Sequence, residues 1–226
     1  MQQFGNRCVL RYARVIMEAQ IVLIIILILS VVLHEVAHGY AAWKLGDPTA
    51  KLQGRLSLNP LVHIDPLMSV IVPGMLVLSG SPFLFGAARP VPYNPYNFSD
   101  QKYGEAKVAA AGPAVNILIA VVFGVLVQLS GTLGLSETFV SLSYSIIIMN
   151  IFLALFNLLP IPPLDGSKVL PIVLPFTLRM RYQGLRNYLE HNVGLAFLLI
   201  IFLVFFILGT PLYYLTLAIA GLLAGF

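Results

Sequence analysis

Ile21-Val22-Leu23-Ile24-Ile25-Ile26-Leu27-Ile28-Leu29-Ser30-Val31-Val32-Leu33-His34-Glu35-Val36-Ala37-His38 is apolar in all but one of residues 21–33 and then abruptly polar. The apolar stretch continues on both sides, over about residues 16–45. That exceeds the roughly 20 residues that carry a helix across a bilayer core about 30 Å thick. His34, Glu35 and His38 therefore belong to a lipid-spanning helix. A charged side chain at that depth costs about 2.5–3.5 kcal/mol on insertion scales, so such groups normally face a functional interior. Hydrogen bonding between helices alone would not require three of them at this spacing.

The rest of the chain agrees with a membrane setting. Of 226 residues, 59% are hydrophobic and 10% charged, against about 45–50% and about 25% in soluble domains. The net charge of +4 does not point to nucleic acid, because Lys and Arg occur in short blocks between apolar runs. Orientation in a membrane accounts for such blocks, and no nucleic-acid partner is expected. Cys8 is the single cysteine, which excludes an intramolecular disulfide and a thiolate zinc site. Residues 1–16, with Arg7, Arg11 and Arg14, stand apart as an N-terminal extension and a candidate non-native segment. The apolar run behind them is too long for a cleaved signal. Residues 17–226 read as a single membrane-embedded domain.

Further spans are expected at about 107–129, 140–159 and 193–208. Pro160, Pro162 and Pro163 close the third, since proline cannot continue a helix. Gly209-Thr210-Pro211 is expected to break the fourth from a short apolar tail. Residues 66–85 are apolar but interrupted by Pro73-Gly74 and Gly80-Ser81-Pro82, a poor simple span. Residues 86–92 and Tyr93-Asn94-Pro95-Tyr96 read as a short strand and a turn.

His34-Glu35-Val36-Ala37-His38 fits H-E-x-x-H. Helix positions i and i+4 share one face, so both imidazoles can reach one metal ion. The glutamate between them can take a proton from water at the metal. Catalytic zinc usually has three protein ligands. His63 and Asp165 are the candidates for the third, whereas His191 and Asp47 sit in charged or turn-like contexts that suggest surface roles.

HEVAH in one span, Asn157-Leu158-Leu159-Pro160-Ile161-Pro162-Pro163-Leu164-Asp165-Gly166 at the end of a later one, and Ala111-Gly112-Pro113-Ala114-Val115-Asn116 between them together resemble the site-2 protease family of intramembrane zinc metalloproteases. The likeness runs from about Met17 to the end and is greatest to compact members without a PDZ or CBS domain. It implies an all-α polytopic membrane protein: a three-helix catalytic core, additional membrane segments, a re-entrant segment and a short membrane-associated β element. It implies one Zn2+ per chain on His34, His38 and Asp165, with Glu35 as the catalytic base. A carboxylate is a normal zinc ligand, and Gly166 lets the backbone pass close to the metal. By the same resemblance Asn157, and less directly Asn116, would assist at the substrate carbonyl. Ala87, Ala88, Arg89 and Val91 would pair with an unwound substrate strand. The implied partners are the lipid bilayer and a transmembrane or membrane-anchored protein substrate.

Both ligand groups must reach one depth, so the first and third spans should run parallel. Residues 66–85 should then enter and leave on one side. This puts most Lys and Arg on one face and none in residues 130–139, which places the site nearer the cytoplasmic side of an inner cell membrane. Two other functional classes fit parts of the pattern. A membrane metal transporter would spread polar ligands over several spans, whereas residues 117–129 and 193–208 are almost wholly apolar. A non-catalytic relative would not need Glu35 beside a full ligand set.

Overall fold

Sequence free of proline builds α1 (Gln2–Lys44), whose stretch Gln20–Lys44 is long and apolar enough to cross a membrane. The computed structural model describes residues 2–65, 71, 75 and 89–225, with side chains from residue 20 onward. Two more candidate spans follow, α2 (Gly104–Gln128) and α3 (Glu137–Asn157). Ser136 caps α3 by accepting the Phe139 N–H, and Glu137 sits in its first turn, where a carboxylate suits the helix dipole. After α3 come α4 (Phe176–His191), α5 (Val193–Leu203) and α6 (Gly209–Ala224).

Ile21, Ile25 and Leu29 are each about half exposed in the middle of α1. A helix that is apolar on its outer face as well as its inner one is suited to lipid rather than water. The inner faces meet in a cluster of Ala120, Val127, Ile147, Ile151, Ala220 and Ala224 from α2, α3 and α6. Three of the six are alanines, which suit helices that gain from close backbone approach in a membrane.

Side-chain pairs set the helix directions. Ser30 meets Asn150, and one turn further along α1 His34 meets Asp165 beyond the end of α3. Hence α1 and α3 run the same way. Along α2 the order reverses, with Asn116 at His34 and Val108 at His38. Arg186 of α4 pairs with Glu105 at the start of α2 and with Glu190 at 2.8 Å. This ties α4 to the end of the bundle that carries the ligands.

Three expectations change here. The fourth span does not stop at Gly209-Thr210-Pro211; a π-helical turn, Val204–Leu208, leads into α6, and the candidate span is Val193–Ala224. The π turn shifts the hydrogen-bond ladder by one residue, with the Gly209 N–H donating to the Val204 carbonyl, and the helix runs on through Pro211, which itself cannot donate. Asp47 is not a surface residue: it is fully buried and accepts from Thr49 Oγ1 (2.6 Å), Asn94 N (2.7 Å) and Asn97 Nδ2 (2.8 Å). No strand occurs among the described residues. Of the expected β element, Gly86, Ala87 and Ala88 lie outside them, and Arg89 to Pro92 are irregular. The re-entrant segment at 66–85 also lies outside them, apart from residues 71 and 75.

Candidate metal centre

His34 and His38 stand one turn apart on α1, their rings edge to face with centroids 4.6 Å apart. Both are buried. His38 Nδ1 lies 2.7 Å from the carbonyl oxygen of Val108. A carbonyl can only accept, so Nδ1 carries the hydrogen and Nε2 keeps its lone pair. His34 Nδ1 lies 2.5 Å from Asn116 Oδ1, and its Nε2 also points inward.

Asp165 arrives from the loop after α3. Leu159, Ile161 and Leu164 form successive tight turns, and Gly166–Val169 makes one helical turn directly behind Asp165. Gly166 is needed there because a Cβ would fall 2.6 Å from the Leu159 carbonyl oxygen and closer still to that of Leu158. The result brings Asp165 Oδ2 to 3.1 Å from His34 Nε2 and 3.2 Å from His38 Nε2.

Two inward lone pairs and a carboxylate oxygen repel one another at these separations unless a proton or a metal ion lies between them. Ligand atoms about 2.1 Å from a tetrahedral zinc are about 3.4 Å apart, close to the spacings found. His34, His38 and Asp165 form a group whose ligand atoms lie within 4.8 Å of one another. Gly112 leaves the room: a Cβ there would stand 2.5 Å from both Nε2 atoms. Pro113 follows inside α2 and cannot donate to the Ala109 carbonyl. The donor set and the space fit zinc.

Glu35 lies beside the ligands, and its Oε2 accepts the Val91 N–H at 2.9 Å. Between Pro90 and Pro92, Val91 has the only backbone N–H. The loop that presents it is gripped by buried Arg55, which donates to the carbonyls of Val62, Arg89 (2.6 Å) and Pro90 (3.2 Å). Arg89 N–H in turn donates to the His63 carbonyl at 2.8 Å. Glu35, both histidines and Asp165 line a cavity of about 140 Å³ with Asn157 and Lys168. A wider hollow of about 620 Å³ between Ser130 and Tyr144 holds no such ligand set, with Glu137 its single carboxylate.

Residues 130–201 match Peptidase family M50. The chain is 38% identical over 196 residues to “Putative zinc metalloprotease YwhC” of Bacillus subtilis, covering 84% of this chain and 81% of that protein. This chain belongs to peptidase family M50. Over 162 residues it is also 31% identical to “Putative zinc metalloprotease Rip2” of Mycolicibacterium smegmatis, covering 67% of this chain and 57% of that one. “Zinc metalloprotease MJ0392” of Methanocaldococcus jannaschii is 27% identical over 183 residues, covering 80% of this chain and 42% of that one. No solved structure matches. M50 membership together with four apolar helices makes the chain a multi-pass membrane protein with Zn2+ as its cofactor.

The remaining sequence candidates of this M50 chain separate clearly. His63 is buried away from the ligand group, its Nε2 2.8 Å from the Ser57 carbonyl. His191 is exposed at the end of α4. Asn157 lines the cavity and donates one amide hydrogen to the Leu153 carbonyl at 2.9 Å. Asn116 is fully buried behind His34 rather than in the cavity. Arg89 and Val91 belong to the loop over Glu35; Ala87 and Ala88 lie outside the described residues.

Lys168 escaped the sequence analysis. Its ammonium sits 5.1 Å from the Tyr93 ring centre and lines the cavity. Burial would lower its pKa, but Tyr93, and then Asp165 and Glu105, more than offset this and raise it above the usual lysine range. The signal was its spacing: three residues after Asp165, on one helical turn, it shares that face.

Proposed function

We propose that this chain is a zinc metalloprotease that hydrolyses peptide bonds of membrane-protein substrates within or beside the bilayer, as in regulated intramembrane proteolysis. The observation that carries it is the convergence of His34, His38 and Asp165, 131 residues apart in sequence at the widest, around one cation-sized gap with Glu35 alongside. His34, His38 and Asp165 would hold the metal. Zinc, when bound, supplies the Lewis acidity that polarises the scissile carbonyl and lowers the pKa of water. Glu35 takes the proton of the attacking water and returns it to the leaving amine. The Val91 N–H orients the Glu35 carboxylate for that task. Asn157 has an amide hydrogen beyond its bond to Leu153 and can donate it to the substrate carbonyl. A substrate strand would lie extended beside the loop at Arg89 and Val91.

Depth and charge support a site near the cytoplasmic face of a cell membrane. The ligands sit near the C-terminal ends of α1 and α3, where Lys44, Lys51, Lys102, Lys107, Lys168, Arg179, Arg181 and Arg186 gather, while residues 130–139 at the other end have no Lys or Arg. The test is cleavage of a membrane-anchored peptide by the purified chain in liposomes, with zinc content measured alongside. Loss of cleavage in Glu35→Gln with zinc retained is the expected result. Cleavage at a comparable rate would overturn the mechanism, and transport of zinc without cleavage would make the chain a transporter.

A further inference from the structure

Three polar side chains lie deeper in the bundle than the cavity, where the chemistry above does not use them. Ser30, Asn116 and Asn150 are at most 4% exposed, on α1, α2 and α3 respectively. Asn150 Nδ2 donates to the Ile146 carbonyl at 2.9 Å and to Ser30 Oγ at 3.0 Å. Asn116 Nδ2 donates to Asn150 Oδ1 at 2.8 Å, and Asn116 Oδ1 faces His34 Nδ1 at 2.5 Å. The chain of bonds begins and ends on α1, one turn apart, after crossing two other helices.

Its direction is decided at one point. The Ile146 carbonyl can only accept, so the amide of Asn150 must turn its NH₂ there and its oxygen toward Asn116. Rotating Asn150 by half a turn would set two carbonyl oxygens 2.9 Å apart. With the Asn150 oxygen fixed, Asn116 must present its NH₂ to it and its own oxygen to His34. His34 Nδ1 is then the donor, and its Nε2 is left with the lone pair that a metal requires. We infer that Asn150 and Asn116 are positioning residues that set the tautomer of His34 from a backbone carbonyl on α3. His38 needs no such relay, because the Val108 carbonyl reaches its Nδ1 directly. Ser30 adds a second acceptor for Asn150, but Ile146 already fixes the direction.

This inference deepens the zinc reading and rests on it. The first test needs no variant. In the full chain, ¹⁵N-labelled at its four histidines and stripped of zinc in lipid nanodiscs, the ¹⁵N shifts of His34 should report hydrogen on Nδ1, with assignment by the signals lost in His34→Gln. A neutral His34 with its hydrogen on Nε2 and none on Nδ1 would overturn the inference. In Asn150→Leu, which keeps bulk but cannot relay, the His34 signals should move toward a mixture of tautomers while those of His38 stay in place. Zinc affinity, by chelator competition, should fall about 10–100-fold, as for other outer partners of metal ligands. Ser30→Ala should lose less. A folded Asn150→Leu with unchanged His34 shifts and zinc affinity would make the relay mere helix packing. If Asn150→Leu does not fold, the wild-type shifts decide alone. A wild type that binds no zinc would sink the zinc reading instead, and leaves the tautomer measurement legible.

Discussion

The site has two walls built on different principles. One is the face of α1, α2 and α3, where His34 and His38 are held by Asn116 and by the Val108 carbonyl inside an apolar bundle. The other is the loop wall, where Arg55 and Asp47 hold the chain from Arg89 to Asn97 and Val91 holds Glu35. The bundle wall uses neutral amides and carbonyls, whose directions cannot change without leaving a buried group unpaired. The loop wall uses buried ions that grip backbone carbonyls and N–H groups. The two histidine ligands therefore sit on the side set by helix packing, and the proton carrier is held from the side set by charge. The two walls should fail in different ways.

Glu35→Gln strikes where the walls meet and should have the largest effect. Cleavage should drop by at least about 10²–10⁴-fold, the usual worth of acid–base help, with zinc content near that of wild type. Asp165→Ala should remove zinc and activity together, since two ligands hold zinc poorly. Full zinc occupancy in that variant would break the assignment of the bundle wall as the metal side.

Gly112→Ala places a methyl group 2.5 Å from both Nε2 atoms. Zinc affinity should fall at least as far as on loss of an outer ligand partner, about 10–100-fold. A chelator titration with no change would mean that α2 gives way easily and that the bundle wall is softer than its packing indicates.

Arg55→Lys should spare the metal and impair the chemistry. An ammonium cannot serve three carbonyls in the planar fork that a guanidinium offers, so the Val91 N–H would no longer be held on Glu35. Cleavage should fall about tenfold, equal to about 1.4 kcal/mol, at unchanged zinc content. Zinc loss in step with activity would erase the distinction between the walls.

The smallest expected effect is in acid. Burial raises the Asp47 pKa, but hydrogen bonds from Thr49, Asn97 and Asn94 outweigh it, and the net shift is downward from 3.8. A carboxyl with a depressed folded pKa contributes stability that is complete above its unfolded value and lost as pH falls through the folded one. Hydrogen exchange of residues 94–99 should therefore quicken only below about pH 3.8, while amides of α2 and α3 hold. Asp47→Asn should show no such acid step.

HEVAH was legible because its chemistry is local, four residues on a helix aligning two imidazoles, whereas Asp165 was preferred to His63 only through the resemblance of its proline-closed turn. The parallel course of the first and third spans followed once Asp165 was taken as a ligand. Asp47 was misjudged because an acidic residue beside Gly46 and Pro48 has the pattern of an exposed turn, and its donors Asn94 and Asn97 lie about 50 residues away. The break at Gly209-Thr210-Pro211 was misjudged because a π turn resets the ladder, which no residue type announces.

By itself the sequence determined a helical membrane chain and the pair of histidines with their glutamate, since lipid thickness and helix periodicity act on neighbouring residues. It also narrowed the third ligand to His63 or Asp165 before any resemblance was weighed. Tertiary structure decided what lies behind the ligands: Asn150 on His34 through Asn116, Val108 on His38, Arg55 on the loop over Glu35. Those contacts join residues 34 to 82 positions apart, and only helix packing brings them within hydrogen-bonding distance. The direction of a hydrogen bond, and with it the tautomer of a ligand, depends on which atom of a distant residue faces it, and that is a property of the folded bundle alone.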